Sequence, residues 1–278
     1  MRSTALAFAT TLAVLTTTAA AGTPMVARYR ATFEGLWTEQ THPTDFPGNP
    51  HFSPLIGVTH NADAVFWEPG GIATFGIERM AEAGRTQELQ VEIDAEKLIG
   101  NADSGIRQIG INSPGSVHKE FNAHESHPLV TLVTMVAPSP DWFVGVHSVP
   151  LFVDGVWVDK LVFDLMPYDA GTDAGVTFNS PNEDITPHIP IVEIGDAFPF
   201  NSGGPVARLT FERVDINEGG CSPADLAEPL GQLDFNDVVA FLTAFGAGDP
   251  ATDLAPPLEQ LDFTDVTTFV ILFSQGCP

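Results

Sequence analysis

Between residues 29 and 214, apolar runs of strand length recur about every ten residues, broken by Gly, Pro, Asn and Asp. Residues 130–136 and 161–165 are two such runs. Residues 88–93 (Glu-Leu-Gln-Val-Glu-Ile) and 207–214 alternate apolar with polar side chains, the pattern of a strand with one wet face. Long helices are hard to place there, and without helical periodicity between the runs a buried parallel sheet has no crossover connections. The pattern predicts an all-β antiparallel sandwich over residues 22–214.

Beyond Gly219-Gly220 the period changes from two to that of a helix. The stretch from Asp225 to Val238, Asp-Leu-Ala-Glu-Pro-Leu-Gly-Gln-Leu-Asp-Phe-Asn-Asp-Val, returns 28 residues later from Asp253 to Val266. Phe235, Val238, Val239, Leu242 and Phe245 then fall on one helical face, as do Phe263, Val266, Thr267, Val270 and Phe273. Each unit is predicted to be a loop feeding an amphipathic helix, and the two helices to bury their aromatic faces against each other. Residues 215–220 read as a linker and 221–278 as a separate module. Its Cys221 and Cys277 are the chain's two cysteines; a bridge between them would close ~57 residues and contribute roughly 4 kcal/mol.

Charge narrows the function classes. Across 278 residues, 11 Lys+Arg stand against 36 Asp+Glu, a formal charge of -25. Such a chain repels phosphate backbones and anionic leaflets, so nucleic acid is excluded as a partner. Its field attracts cations, and carboxylates that converge in space are the first place to look for a site. At the amino end Arg2, the apolar residues 5–15 and Ala19-Ala20-Ala21 read as an export signal over residues 1–21. That apolar stretch is too short to cross a bilayer, and no later one approaches the ~20 residues required. The expectation is a secreted, extracellular protein without a transmembrane segment, in which a disulfide is chemically available.

Two loops carry the acids of interest. Prolines flank Ser139 in Pro138-Ser139-Pro140-Asp141, forcing the chain out of the sheet and leaving Asp141 at a strand end. Later, in Tyr168-Asp169-Ala170-Gly171-Thr172-Asp173, two carboxylates straddle a glycine that lets the loop curl. If the connection carrying Trp157 folds back as a hairpin, Asp141, Asp169 and Asp173 can meet at one rim of the sandwich. Three carboxylates with backbone carbonyls suit Ca²⁺.

The tail, opening on Cys221 and closing on Gly276-Cys277-Pro278, resembles the GC-type dockerin-like modules of bacterial type. These are paired loop-helix units related to EF-hands. The resemblance implies a small α-helical EF-hand-like pair that anchors or docks the protein, with a cohesin-like or other cell-surface partner. Dockerin loops place oxygen ligands at positions one, three, five, nine and twelve. Here position one is kept, as Asp225 and Asp253, but three and five are Ala227 and Pro229, then Ala255 and Pro257. Asp234, Asp237, Asp262 and Asp265 read equally well as helix caps.

The body resembles the spondin amino-terminal domain family (F-spondin/mindin-like). The resemblance rests on the two acidic loops and on Tyr29-Arg30-Ala31-Thr32-Phe33-Glu34-Gly35-Leu36-Trp37-Thr38, His42-Pro43-Thr44-Asp45-Phe46-Pro47, His51-Phe52-Ser53-Pro54-Leu55-Ile56-Gly57 and Phe178-Asn179-Ser180-Pro181-Asn182, in the family's order over about residues 25 to 214. It implies a sandwich like the calcium-dependent lipid-binding domains, with one Ca²⁺ held by Asp141, Asp169 and Asp173. It also implies non-catalytic cell adhesion or recognition of an extracellular protein or glycan ligand, in the manner of an extracellular matrix component. In mindin-like relatives an acidic residue ahead of the Pro-Ser-Pro-Asp turn contributes to receptor binding, which points to Glu120. Integrin binding does not carry over, because this body lacks the family's cysteines.

Other readings compete. A secreted hydrolase could use Asp141 and a partner acid for general acid/base work. The chain could instead be a structural subunit of a surface assembly, with the tail as its active part. The eight histidines, all between His42 and His188, show no zinc-protease spacing and suit structural roles. The four tryptophans suit the core, with Trp142 adjoining the acidic loop.

Overall fold

The structure is a computed structural model, described over residues 26–201, 204–214, 221–256 and 260–277. The export signal over residues 1–21 and the linker over 215–220 lie outside the described residues.

The chain order is β1 (Val26–Gly35), β2 (His51–Phe52), β3 (Leu55–His60), α1 (Phe75–Ala83), α2 (Gln87–Leu98), β4 (Ala102–Gln108), β5 (Ile111–Asn112) and β6 (Gly115–His124). It continues with β7 (Leu129–Ala137), β8 (Trp142–Pro150), β9 (Phe152–Val153), β10 (Val156–Trp157), β11 (Lys160–Leu165), β12 (Tyr168–Asp169), β13 (Val192–Glu193) and β14 (Ala207–Arg213). The last helices are α3 (Phe235–Gly246) and α4 (Phe263–Gln275). One sheet runs β11-β14-β1-β6; a second, larger one runs β13-β12-β8-β7-β2-β5, with β3 joining β7 to β4; β9 and β10 pair as a separate two-stranded sheet. All pairings between these strands are antiparallel.

Alternation explains the first sheet. In β1, Ala27, Tyr29, Ala31 and Phe33 point into the core while Arg28, Arg30 and Thr32 face outward, and β14 does the same with Ala207, Leu209 and Phe211. The second sheet has two covered faces. Val130, Leu132 and Val136 of β7 meet the first sheet, whereas Val133, Met135 and Ala137 meet the helices. A strand covered on both sides needs no polar alternation, which is why residues 130–136 read as continuous apolar sequence.

The helices covering that second face correct the expectation for residues 88–93, which form part of α2 and not a strand. Leu89 and Ile93, four apart, are its buried side chains, while Val91 is 69% exposed, so the two-residue alternation was coincidental. In α1 the buried face is Ile77, Met80 and Ala81. The connection carrying Trp157 does fold back, as the β9–β10 hairpin, with Asp154 and Gly155 at φ of 52° and 80° in its turn.

In the tail, Cys221 and Cys277 are disulfide-bonded, and α3 and α4 meet through Phe241 and Phe269, whose rings stack at 4.0 Å. Those phenylalanines stand 28 residues apart, as the repeat requires. The buried face differs from the expected one. Val238, Phe241 and Phe245 turn inward on α3, but Phe235 is 75% exposed and Val239 and Leu242 are also exposed. Each helix carries two apolar stripes, and among the described residues only one is packed against a partner.

Candidate functional site

The Pro138-Ser139-Pro140 corner ends β7, and Ser139 Oγ accepts a hydrogen bond from the Trp142 N–H at 3.1 Å. This fixes Asp141 immediately ahead of β8. On the neighbouring strand Asp169 is the register partner of Trp142, and the Ala170 N–H donates to the Asp141 carbonyl at 3.1 Å. The loop beyond curls through Gly171 at φ 74°, where a Cβ would stand 2.2 Å from the Ile189 carbonyl oxygen. The first and second acidic loops are thereby clamped to one another at one end of the larger sheet.

Asp141 is wholly buried. Its Oδ2 accepts from the Thr172 and Asp173 backbone N–H groups, at 2.8 and 3.1 Å, and from the Thr172 hydroxyl at 3.3 Å. Its Oδ1 is equally buried and has no hydrogen-bond partner. Burial, followed by repulsion from Asp169, pushes the carboxyl up to about 7. Asp169 is also shifted upward, chiefly by burial, although its Oδ1 accepts from Gly171 N–H at 2.8 Å and its carboxylate from the Trp142 side chain. Asp173 is 3% exposed and organises the loop: Oδ1 accepts from Gly175 N–H at 2.7 Å and Oδ2 from Glu183 N–H at 2.9 Å.

The three acids predicted from sequence thus sit in one network. They are not drawn into a tight cage, because among the described residues the group whose ligand atoms all lie within 4.8 Å of one another is Cys221, Asp225 and Cys277. Two of those are disulfide sulfurs and offer no thiolate. A cation suits the acidic rim nevertheless. Asp141 Oδ1 is a buried carboxylate oxygen without a hydrogen-bond partner, and the neighbouring Asp169 and Asp173 place negative charge rather than a counter-charge beside it.

Two residues at this rim escaped the sequence reading. Thr172 gives its N–H to Asp141, and its single hydroxyl proton lies between Asp141 and Glu82, a carboxylate on α1 raised in pKa mainly by burial. Only helical placement brings Glu82 there, so a strand-only reading hides it. Glu120, by contrast, is remote in chemistry: it pairs with Arg28 at 2.7 Å and Arg30 at 2.6 Å. The buried His60 bonds Thr131 Oγ1 and the Asn61 carbonyl, each at 2.8 Å, a structural role. Trp142 is core, in edge contact with Phe178 and Phe200.

The Spondin_N family matches residues 27–210. Spondin-1 of Gallus gallus is 37% identical over 204 residues, covering 68% of this chain and 25% of the relative. Spondin-2 of Rattus norvegicus is 33% identical over 217 residues, covering 72% of this chain and 66% of the relative, and Spondin-2 of Homo sapiens is 32% identical over 231 residues. The chain therefore spans a quarter of the length of Spondin-1 and about two thirds of Spondin-2.

Proposed function

The chain belongs to the Spondin_N family, and from that membership we propose a secreted, calcium-binding recognition protein whose sandwich binds an extracellular protein or glycan ligand. The observation that carries the calcium reading is the buried, unpartnered Asp141 Oδ1 among like charges. Asp141 and Asp169 would hold the ion, with Asp173 fixing the loop that brings them together or joining as third ligand. Bound Ca²⁺ supplies the counter-charge that ties the two loops into one rigid rim. Catalysis is not part of this reading: the acid best placed for proton transfer, Asp141, is wholly buried and has no access to a substrate.

The tail is proposed to anchor or dock the protein. No Lys, Arg or His follows Arg213, and Phe235, Val239 and Leu242 on α3 with Phe263, Val270 and Ile271 on α4 stand exposed. An apolar surface with an acidic rim suits an extracellular, cohesin-like or cell-surface partner whose apolar face is bordered by Lys and Arg. Among the described residues no helix is long and apolar enough to cross a membrane.

The deciding experiment is calcium titration of the full chain by calorimetry, with thermal melting in chelator and in calcium, for wild type beside Asp169→Ala. A wild-type heat and melting shift that the variant lacks supports the site. Wild-type curves indifferent to calcium overturn it.

A further inference from the structure

The duplicated tail closes its loops with its own carboxylates. Asp237, wholly buried, accepts at Oδ1 from the Leu226 and Ala227 N–H groups at 2.6 and 2.8 Å, and at Oδ2 from the Asp234 N–H at 2.7 Å. Asp265, equally buried, repeats the arrangement 28 residues on, with Leu254 and Ala255 at 2.7 and 2.9 Å and Asp262 at 2.8 Å. Asp234 and Asp262 complete capping boxes at the starts of α3 and α4. In the first loop Asp225 Oδ2 accepts from Cys221 N–H at 2.8 Å and Gly231 N–H at 2.6 Å.

The described N–H groups of these loops point as an anion, not a cation, would require. A hard cation needs six to eight oxygens, including carbonyls turned inward. Counting Asp225 as the first position, the second, third and seventh residues, Leu226, Ala227 and Gly231, here aim their N–H groups at carboxylates. Positions three and five carry no side-chain oxygen in either copy. Backbone N–H groups converging on one point form a nest for an anion, and the anion present is the side chain of the following helix. Asp225 Oδ1 is buried without a partner. Among the described residues the side-chain group it belongs to is completed by the Cys221 and Cys277 sulfurs, and these are spent in the disulfide.

We infer that the tail holds its shape without a metal ion, Asp237 and Asp265 having taken over the loop-closing task that calcium performs in EF-hand relatives. Calcium then does not act on the tail, and the exposed faces of α3 and α4 are presented whether or not calcium is there. This inference does not depend on the sandwich binding calcium.

The test is hydrogen exchange of the full chain, read by mass spectrometry over the peptides holding Leu226, Ala227, Leu254 and Ala255, in chelator and in excess calcium. Protection in chelator, changing less than threefold when calcium is added, is the expected result. A threefold or greater slowing by calcium, or no protection until calcium is added, overturns the inference. Asp237→Asn keeps one acceptor oxygen but loses the charge. It should speed exchange at Leu226 and Ala227 tenfold or more, to the same extent in both conditions. Should that variant not fold, the two wild-type measurements still decide.

Discussion

Trp142 and Asp169 are register partners across β8 and β12, and the Trp142 side chain also donates to the Asp169 carboxylate. The indole is buried against Phe178 and Phe200 while its polar end touches the proposed ion ligand. A charge arriving at Asp169 must alter the field on that indole. Adding calcium to chelated protein is expected to change the tryptophan emission, and Trp142→Phe to remove most of the change although Trp37, Trp67 and Trp157 remain. An undiminished response in the variant would place the ion elsewhere.

The raised Asp141 carboxyl sets a pH dependence with a definite sign. Near 7 when folded and about 3.9 when unfolded, it is protonated in the native state across a window where the unfolded chain has lost its proton. Stability in chelator therefore falls as pH rises through that window, by up to roughly 4 kcal/mol, and the loss is complete above about pH 7. Asp169, also shifted upward, adds to the same trend. Bound calcium holds the carboxylates ionised, so the trend should vanish in calcium, while calcium affinity weakens as pH drops below about 7. Melting temperatures at about pH 5 and about pH 8, each with and without chelator, check both signs.

Asp141→Asn separates charge from shape. An amide oxygen in place of Oδ2 can still accept from Thr172 and Asp173 N–H, and an NH₂ group in place of the unpartnered Oδ1 puts a donor beside Asp169. In chelator near pH 8 the variant should be more stable than wild type by ~1–3 kcal/mol. It should gain nothing from calcium. Denaturation in urea measures the first and the calcium shift of the melting temperature the second; a variant less stable than wild type in chelator would show that the buried charge carries no penalty.

Sequence pattern revealed the strands because burial on alternate faces writes itself into β1 and β14, and burial on both faces into β7. Proline and glycine punctuation marked the turns that hold Asp141, Asp169 and Asp173, and the structure brings those turns side by side. The pattern hid α1 and α2. Their buried stripe is narrow, Leu89 and Ile93 on one helix, and exposed Val91 completes a false two-residue period. Glu82 was hidden with them, since its approach to Thr172 depends on a helix packed across a sheet. In the tail the repeat was plain, but which apolar stripe is buried depends on how two helices meet through Phe241 and Phe269.

The helix pair that the pattern concealed supplies the last prediction. Glu92 of α2 caps the start of α1: its Oε1 accepts from Gly76 N–H and its Oε2 from the Thr74 hydroxyl, each at 2.7 Å. Thr74 Oγ1 in turn accepts from Ile77 N–H at 3.2 Å. A carboxylate at a helix N-terminus satisfies exposed donors and complements the helix dipole, so Glu92→Ala should cost ~2 kcal/mol. Glu92→Gln, which keeps an acceptor for Gly76, should recover part of it. All four tryptophans precede residue 214, so urea unfolding followed by tryptophan emission reports the sandwich alone, and the midpoint should fall with an unchanged slope. Because Glu92 touches none of Asp141, Asp169 and Asp173, the calcium-induced shift should persist in both variants. A midpoint unmoved by Glu92→Ala would mean that the clasp between α1 and α2 contributes nothing to holding the helices on the sheet.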